Sequence, residues 1–160
     1  MNITDKFKNL KININLDNLT EIAKNAATIG SEIISSNYNK IQKISSKGRE
    51  GDLVTNVDLE VERKIKDYLL DQTPKITILA EESGQSNKSS DLMWCIDPLD
   101  GTTNYSHGYP FFGTSIGLVY NGIPILGAIS VPYLNELYWG CITKGSYCNE
   151  EVIKVSNPIN

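Results

Sequence analysis

The feature that most limits how this chain can fold is the run "FFGTSIGLVYNGIPILGAISVPYLNELYWGCIT", Phe111 to Thr143. Stretches rich in β-branched and aromatic residues meet there at Asn121-Gly122, a dipeptide that tolerates the positive φ angles of a two-residue hairpin turn. "PYLNE" marks a second reversal, and Gly145 introduces a further hairpin through Tyr147 and Val152 to Val155. Strands joined so tightly pair antiparallel. The C-terminal half is therefore predicted as an antiparallel sheet, and one face of it needs a cover.

The N-terminal half supplies that cover. From Asp17, the predicted N-cap, to about Ser35, Leu19, Ile22, Ala23, Ala26, Ile29, Ile33 and Ile34 recur at helical spacing. A second helix is predicted to begin at Thr55, where "TNVD" resembles a capping box with Asp58 in place of the usual Glu. Val57, Val61, Ile65 and Leu69 form its apolar stripe, Glu60 and Lys64 an outer i,i+4 pair, and Pro74 its end. Between the helices, "SSNYNKIQKISSKGREG" loses periodicity and reads as a long mobile loop over 36–51. The expected fold is α+β, two N-terminal helices packed on a largely antiparallel sheet.

At 160 residues and 40% hydrophobic content the chain is long enough for one core, so residues 1–160 are read as a single domain with a variable segment at 1–16. A net charge of -4 offers no broad basic surface for nucleic acid. No segment approaches the ~20 apolar residues that span a bilayer. The N-terminus has no apolar core of an export signal. Cys95, Cys141 and Cys148 share no CxxC spacing and read as reduced, buried thiols of a cytoplasmic protein.

Two short strands carry the chemistry. "KITILA" delivers Glu81 and Glu82 at its end, "LMWCI" delivers Asp97 in the same way, and "SGQSNKSSD" between them reads as a polar loop. In "DPLDGTTN", Pro98 restricts the chain between Asp97 and Asp100, so that both carboxylates and the Leu99 carbonyl can face one pocket. Mg²⁺ takes hard oxygen ligands, usually one or two carboxylates together with substrate phosphate oxygens. Glu81, Asp97, Asp100 and Asp52 are the candidate ligands. The N–H groups of Gly101, Thr102 and Thr103, if they open a short helix, suit phosphate oxygens, and glycine lets the anion approach closely. Singly, these elements also read as ordinary turns, a solvated loop and a helix cap, and His107 in its Gly-Tyr-Pro turn reads as structural; their order gives the pattern its weight.

Taken together, "GDLVTNVD", "AEES", "DPLDGTTNYSHGYPFFGTSIGL" and "VIKVS" resemble the inositol monophosphatase family of magnesium-dependent, lithium-sensitive phosphatases. The resemblance implies a phosphomonoesterase acting on inositol monophosphate or a similar polyol or sugar phosphate by metal-activated water. Histidinol-phosphate phosphatases share much of the pattern and are an alternative. By the resemblance, Glu81, Asp97 and the Leu99 carbonyl hold a first Mg²⁺, and Asp97 with Asp100 holds a second. Asp52 and Thr102 orient the attacking water, Gly101, Thr102 and Thr103 hold the phosphate, and Glu82 and Lys47 are auxiliary.

Family members continue into an α/β domain with a Trp-Asp-x-Ala-Ala-Gly motif that completes the second metal site. The two tryptophans here are followed by Cys95 and Gly140. The expectation is therefore an N-terminal domain, weak or inactive alone, that works as a homodimer or with a separate C-terminal partner. A non-catalytic half-phosphatase module or a truncated fragment is the competing expectation.

Overall fold

In a computed structural model, residues 15–38, 40, 44–46, 53–86 and 90–156 are described. Helix α1 (Leu16–Asn37) buries Leu19, Ile22, Ala23, Ala26 and Ile34 of the expected stripe and Ala27 beside them, while Ile29 and Ile33 are half-buried. Its N-cap is Asn15, whose Oδ1 accepts the Asn18 N–H at 3.1 Å. Asp17, the predicted cap, instead sits in the first turn and pairs with Lys144 Nζ at 3.0 Å. Asn and Asp are almost equal as caps, so the boundary lies two residues earlier, at the competing Asn15.

Strands β1 (Ile44–Ser46) and β2 (Leu53–Thr55) pair antiparallel, with Ile44 opposite Thr55. β1 lies inside the segment predicted as a loop. Helix α2 (Asn56–Gln72) follows at once and carries the predicted capping box in full, with Val57, Val61, Ile65 and Leu69 buried. Thr73 closes it by donating its N–H to the Leu69 carbonyl at 2.8 Å, just before Pro74. Among the described residues its ion pairs are Arg63–Asp67 at 3.4 Å and Lys66–Glu62 at 3.9 Å, in place of the expected Glu60–Lys64 pair.

The remaining strands are β3 (Thr77–Ala80), β4 (Gly84–Gln85), β5 (Leu92–Asp100), β6 (Gly113–Tyr120), β7 (Ile123–Val131), β8 (Glu136–Cys141), β9 (Gly145–Cys148) and β10 (Glu151–Val152). They form one eight-stranded sheet in the order β10-β9-β8-β7-β6-β5-β3-β4. Every neighbouring pair is antiparallel except β3 and β5. β4 falls in the stretch read as a polar loop. Asn121 (φ 47°) and Gly122 (φ 79°) make the predicted turn between β6 and β7. The last hairpin is shorter than expected, since β10 stops at Val152 and Val155 is exposed.

Period-two burial separates the two faces of the sheet. Trp94, Ile96, Ile116, Leu118 and Ala128 are buried, and α1 packs against β6 and β7 while α2 packs against β5 and α1. The Trp94 ring N–H donates to Thr73 Oγ1 at 2.9 Å, which ties β5 to the end of α2. Close approach of α1 requires glycine at position 30, because a Cβ there would lie 2.5 Å from Thr114 Oγ1 on β6. On the opposite face Cys95, Asp97, Ser115 and Gly117 are half-buried and Ile129 is exposed. Of the three thiols, all reduced, only Cys141 is buried; Cys95 and Cys148 are half-buried because they lie on half-open strand positions. No described helix is long and apolar enough to cross a membrane.

Candidate active site

Among the described residues parallel pairing is confined to β3 and β5, and it brings two acidic residues abreast. Leu79 lies opposite Cys95 and Ala80 opposite Ile96. One step further, the Glu81 N–H donates to the Ile96 carbonyl at 3.1 Å, which carries the register on to Glu81 and Asp97. Parallel strands end on the same side, so both carboxylates arrive at one edge. The groove along that edge, 540 Å³ in volume, is lined by Leu79, Glu81, Gly84, Cys95, Asp97 and Ser115 among others.

β5 does not stop at Ile96 as the sequence suggested. It runs to Asp100 through an irregularity: Asp97 pairs with Ser115 and Asp100 with Gly113, three steps on one strand against two on the other. A β-bulge of this kind re-aims side chains. Pro98, which has no N–H for a ladder, sits within it. Thr114 Oγ1 donates to the Pro98 carbonyl at 2.9 Å and holds the bulge from the buried side.

The electrostatics of Asp97 are those of a carboxylate in the wrong surroundings for its charge. Its pKa is pushed up to about 7, chiefly by burial, then by the charge of Glu81 and a hydrogen bond shared with it, then by the charge of Asp100, against an opposing Leu99 backbone hydrogen bond. Its Oδ1 is buried without a hydrogen-bond partner. A cation beside Asp97 would relieve both conditions. Carboxyl groups such as those of Glu81, Asp97 and Asp100, with a backbone carbonyl, are the kind of hard oxygen donor that a magnesium ion takes. Among the described residues, no group of three or more His, Cys, Asp or Glu side chains forms a ready-made metal cage. The donors fit the ion in kind.

After β5 the chain turns at Gly101, whose φ of 86° is left-handed, and enters the short helix α3 (Thr102–Ser106). A Cβ at Gly101 would also lie 2.7 Å from the Phe111 carbonyl oxygen, so both the angle and the space require glycine. Gly101, Thr102 and Thr103 thus open a helix as anticipated, and the leading N–H groups of any helix lack intrahelical acceptors. Thr102 Oγ1 lies 2.9 Å from the Leu99 carbonyl and 3.1 Å from Asp58 Oδ1. His107, at the end of α3, is exposed, with Nδ1 2.8 Å from the Thr103 carbonyl, in keeping with a structural part.

Two further acidic residues emerge from the geometry. Asp58 is fully buried, and besides closing the capping box it places Oδ1 3.1 Å from Thr102 Oγ1. Glu62, one turn later and also buried, accepts the Glu82 N–H on Oε2 at 2.8 Å. One helix therefore ties down both the turn after β3 and the turn after β5. The sequence held a signal for this: Asp58 and Glu62 flank the apolar stripe at i,i+4, on the side of the helix that faces inward. Asp52 and Lys47, expected to join the site, lie outside the described residues.

Comparison with known proteins follows the same outline. The family model described as "Inositol monophosphatase family" matches residues 15–159. The chain is 42% identical over 145 residues to a fructose-1,6-bisphosphatase/inositol-1-monophosphatase of Aquifex aeolicus, covering 89% of this chain and 54% of that protein. It is 42% identical over 137 residues to an inositol-1-monophosphatase of Synechocystis, covering 85% and 48%. Among solved structures, the extragenic suppressor protein suhB of Bartonella henselae superimposes with a TM-score of 0.84 at 31% identity, over 88% of this chain and 55% of that one. The inositol monophosphatase of Anabaena gives 0.75 at 35% identity, over 91% and 52%. The chain spans about half the length of the relatives it matches.

Proposed function

Because the chain belongs to the inositol monophosphatase family, we propose that it supplies the metal- and phosphate-binding half of a magnesium-dependent phosphomonoesterase. The observation that carries this reading is Asp97: a carboxyl group with a buried, unpartnered oxygen, set beside Glu81 by parallel strands. The relatives named inositol monophosphatase support inositol monophosphate or a similar polyol or sugar phosphate as substrate, ahead of histidinol phosphate.

In this reading Glu81, Asp97 and the Leu99 carbonyl hold one Mg²⁺, and Asp97 and Asp100 a second. Bound there, magnesium supplies positive charge that polarises the phosphoryl group, offsets the leaving oxygen's charge and makes water a better nucleophile. The chain's own residues do the rest. The N–H groups of Gly101, Thr102 and Thr103 donate to the phosphate oxygens and orient phosphorus toward the carboxylate edge. Thr102 Oγ1, with Asp52, accepts hydrogen bonds from the attacking water and fixes its approach. Glu82 and Lys47 have auxiliary parts, Glu82 through the turn that Glu62 anchors.

The open face of the sheet favours a second component. Ile129 and Leu79 are exposed on it, and a groove of 390 Å³ runs past Ser115, Gly127, Tyr138 and Ile153. A contiguous, partly apolar surface of this kind is characteristic of a contact face. We read the unit as one domain, cytoplasmic, working as a homodimer or with a separate C-terminal partner, and weak or inactive alone. If it lacks turnover even then, the non-catalytic half-phosphatase is the surviving reading.

Mg²⁺-dependent phosphate release from inositol 1-phosphate tests this, by the chain alone and with a relative's C-terminal half added. Release that depends on the added half and vanishes in Asp97→Asn supports the proposal. Release unaffected by Asp97→Asn contradicts it.

A further inference from the structure

Thr102 has one hydroxyl proton and two acceptors within reach. Oγ1 lies 3.1 Å from Asp58 Oδ1 and 2.9 Å from the Leu99 carbonyl oxygen. A hydroxyl donates one proton and keeps two acceptor lone pairs, so the direction of that proton decides what each neighbour can still do. Directed at Leu99, it occupies the carbonyl oxygen. Directed at Asp58, it leaves that oxygen open.

Asp58 is placed to win this competition. The residue has no solvent exposure, and its Oδ2 is held by the Thr55 N–H at 3.0 Å and by the Thr55 hydroxyl. The capping box thereby prevents the carboxyl group from rotating away. Oδ1 faces Thr102. A carboxylate makes hydrogen bonds about twice as strong as a neutral carbonyl does. A buried carboxylate oxygen left without a donor is also costlier than a neutral carbonyl oxygen left without one.

We infer that Asp58 is a positioning residue. It holds the Thr102 hydroxyl proton, keeps the Leu99 carbonyl available to a divalent cation and presents Thr102 Oγ1 as an acceptor toward water. The part concerning the cation rests on the proposed function; the direction of the proton does not.

Two measurements separate these parts. In the metal-free chain, the carbonyl ¹³C resonance of Leu99 reports whether a hydroxyl donates to it. Thr102→Val, which removes the proton, is expected to leave that resonance in place, and Asp58→Asn, which turns an amide N–H toward Thr102, to move it downfield. A clear upfield move in Thr102→Val overturns the inference, and does so even where Asp58→Asn fails to fold.

Mn²⁺ binding, followed by the electron paramagnetic resonance of the free ion, gives the second readout. Asp58→Asn should weaken it by about tenfold, as loss of a partner behind a metal ligand typically does. In the Thr102→Val background the same change should have almost no effect, because no hydroxyl remains to swing onto Leu99. Equal weakening in both backgrounds marks a merely structural role and overturns the inference, as does unchanged binding by folded Asp58→Asn. A wild-type chain that binds no Mn²⁺ overturns the metal reading and the Leu99 part with it, while the carbonyl resonance still decides where the proton points.

Discussion

Glu81 stands beside Asp97 because its N–H donates to the Ile96 carbonyl at 3.1 Å, one step beyond the last paired residues of β3 and β5. Antiparallel neighbours could not do this, since their ends point in opposite directions. The single parallel pair among the described strands is where the candidate site lies.

That proximity has a pH signature. Asp97 titrates at about 7 in the folded chain, against 3.8 for an ordinary aspartate, first through burial and then through Glu81. Between those values the folded state holds a proton that the unfolded state has lost, so stability falls as pH rises. The contribution is fully present below pH 3.8 and is lost as pH rises through about 7. Urea unfolding of the metal-free chain across this window should show a decline that is flatter in Asp97→Asn, which stays neutral throughout. Parallel curves for the two proteins would count against the shift.

Gly101→Ala should destabilise the chain by about 1–3 kcal/mol, the usual cost of a strained backbone conformation. Both the φ of 86° and the 2.7 Å approach of a Cβ to the Phe111 carbonyl oppose the side chain. A shift in the urea midpoint with unchanged slope is the expected observation.

Thr55→Ala removes the hydroxyl that caps α2 through the Val57 N–H at 3.1 Å and the Asp58 N–H at 3.4 Å. A loss of about 1 kcal/mol follows from the cap alone. Because Thr55 also holds Asp58, the ¹³C and ¹⁵N resonances of Thr102 should move as well. A stability loss with Thr102 undisturbed would mean that the cap and the site are independent.

Gly30→Ala should cost about 1–3 kcal/mol by overpacking α1 against β6. Thr114 Oγ1 and Cγ2 are the atoms met, at 2.5 and 2.7 Å. Combining it with Thr114→Ala should cost less than the sum of the two single changes, since the second removes the atoms that the first strikes. Strict additivity in thermal or urea unfolding would contradict the packing described.

Much of this was legible where a local rule decides the outcome. Asn121-Gly122 needs only its own φ angles, and Thr55 with Asp58 needs only the first turn of a helix. The order of the carboxylate motifs was equally visible, and family membership bears out the resemblance drawn from them. The misses have a common cause in competition or tertiary placement. Asn15 and Asp17 are both good caps, and the fold chose the first while Lys144 engaged the second. The strand read as ending at Ile96 runs on, because a bulge braced by Thr114 carries β5 past Pro98. Asp58 looked like a cap, and no local rule singled out Glu62; only packing α2 against two distant turns reveals their reach to Thr102 and Glu82.

Calorimetric titration of Mg²⁺ into the purified chain, with Asp97→Asn beside it, tests the central claim most directly. Binding by the wild type that Asp97→Asn loses while remaining folded is the predicted result. Equal binding by the two, or none by the folded wild type, would contradict the assignment of the β3–β5 edge as a cation site.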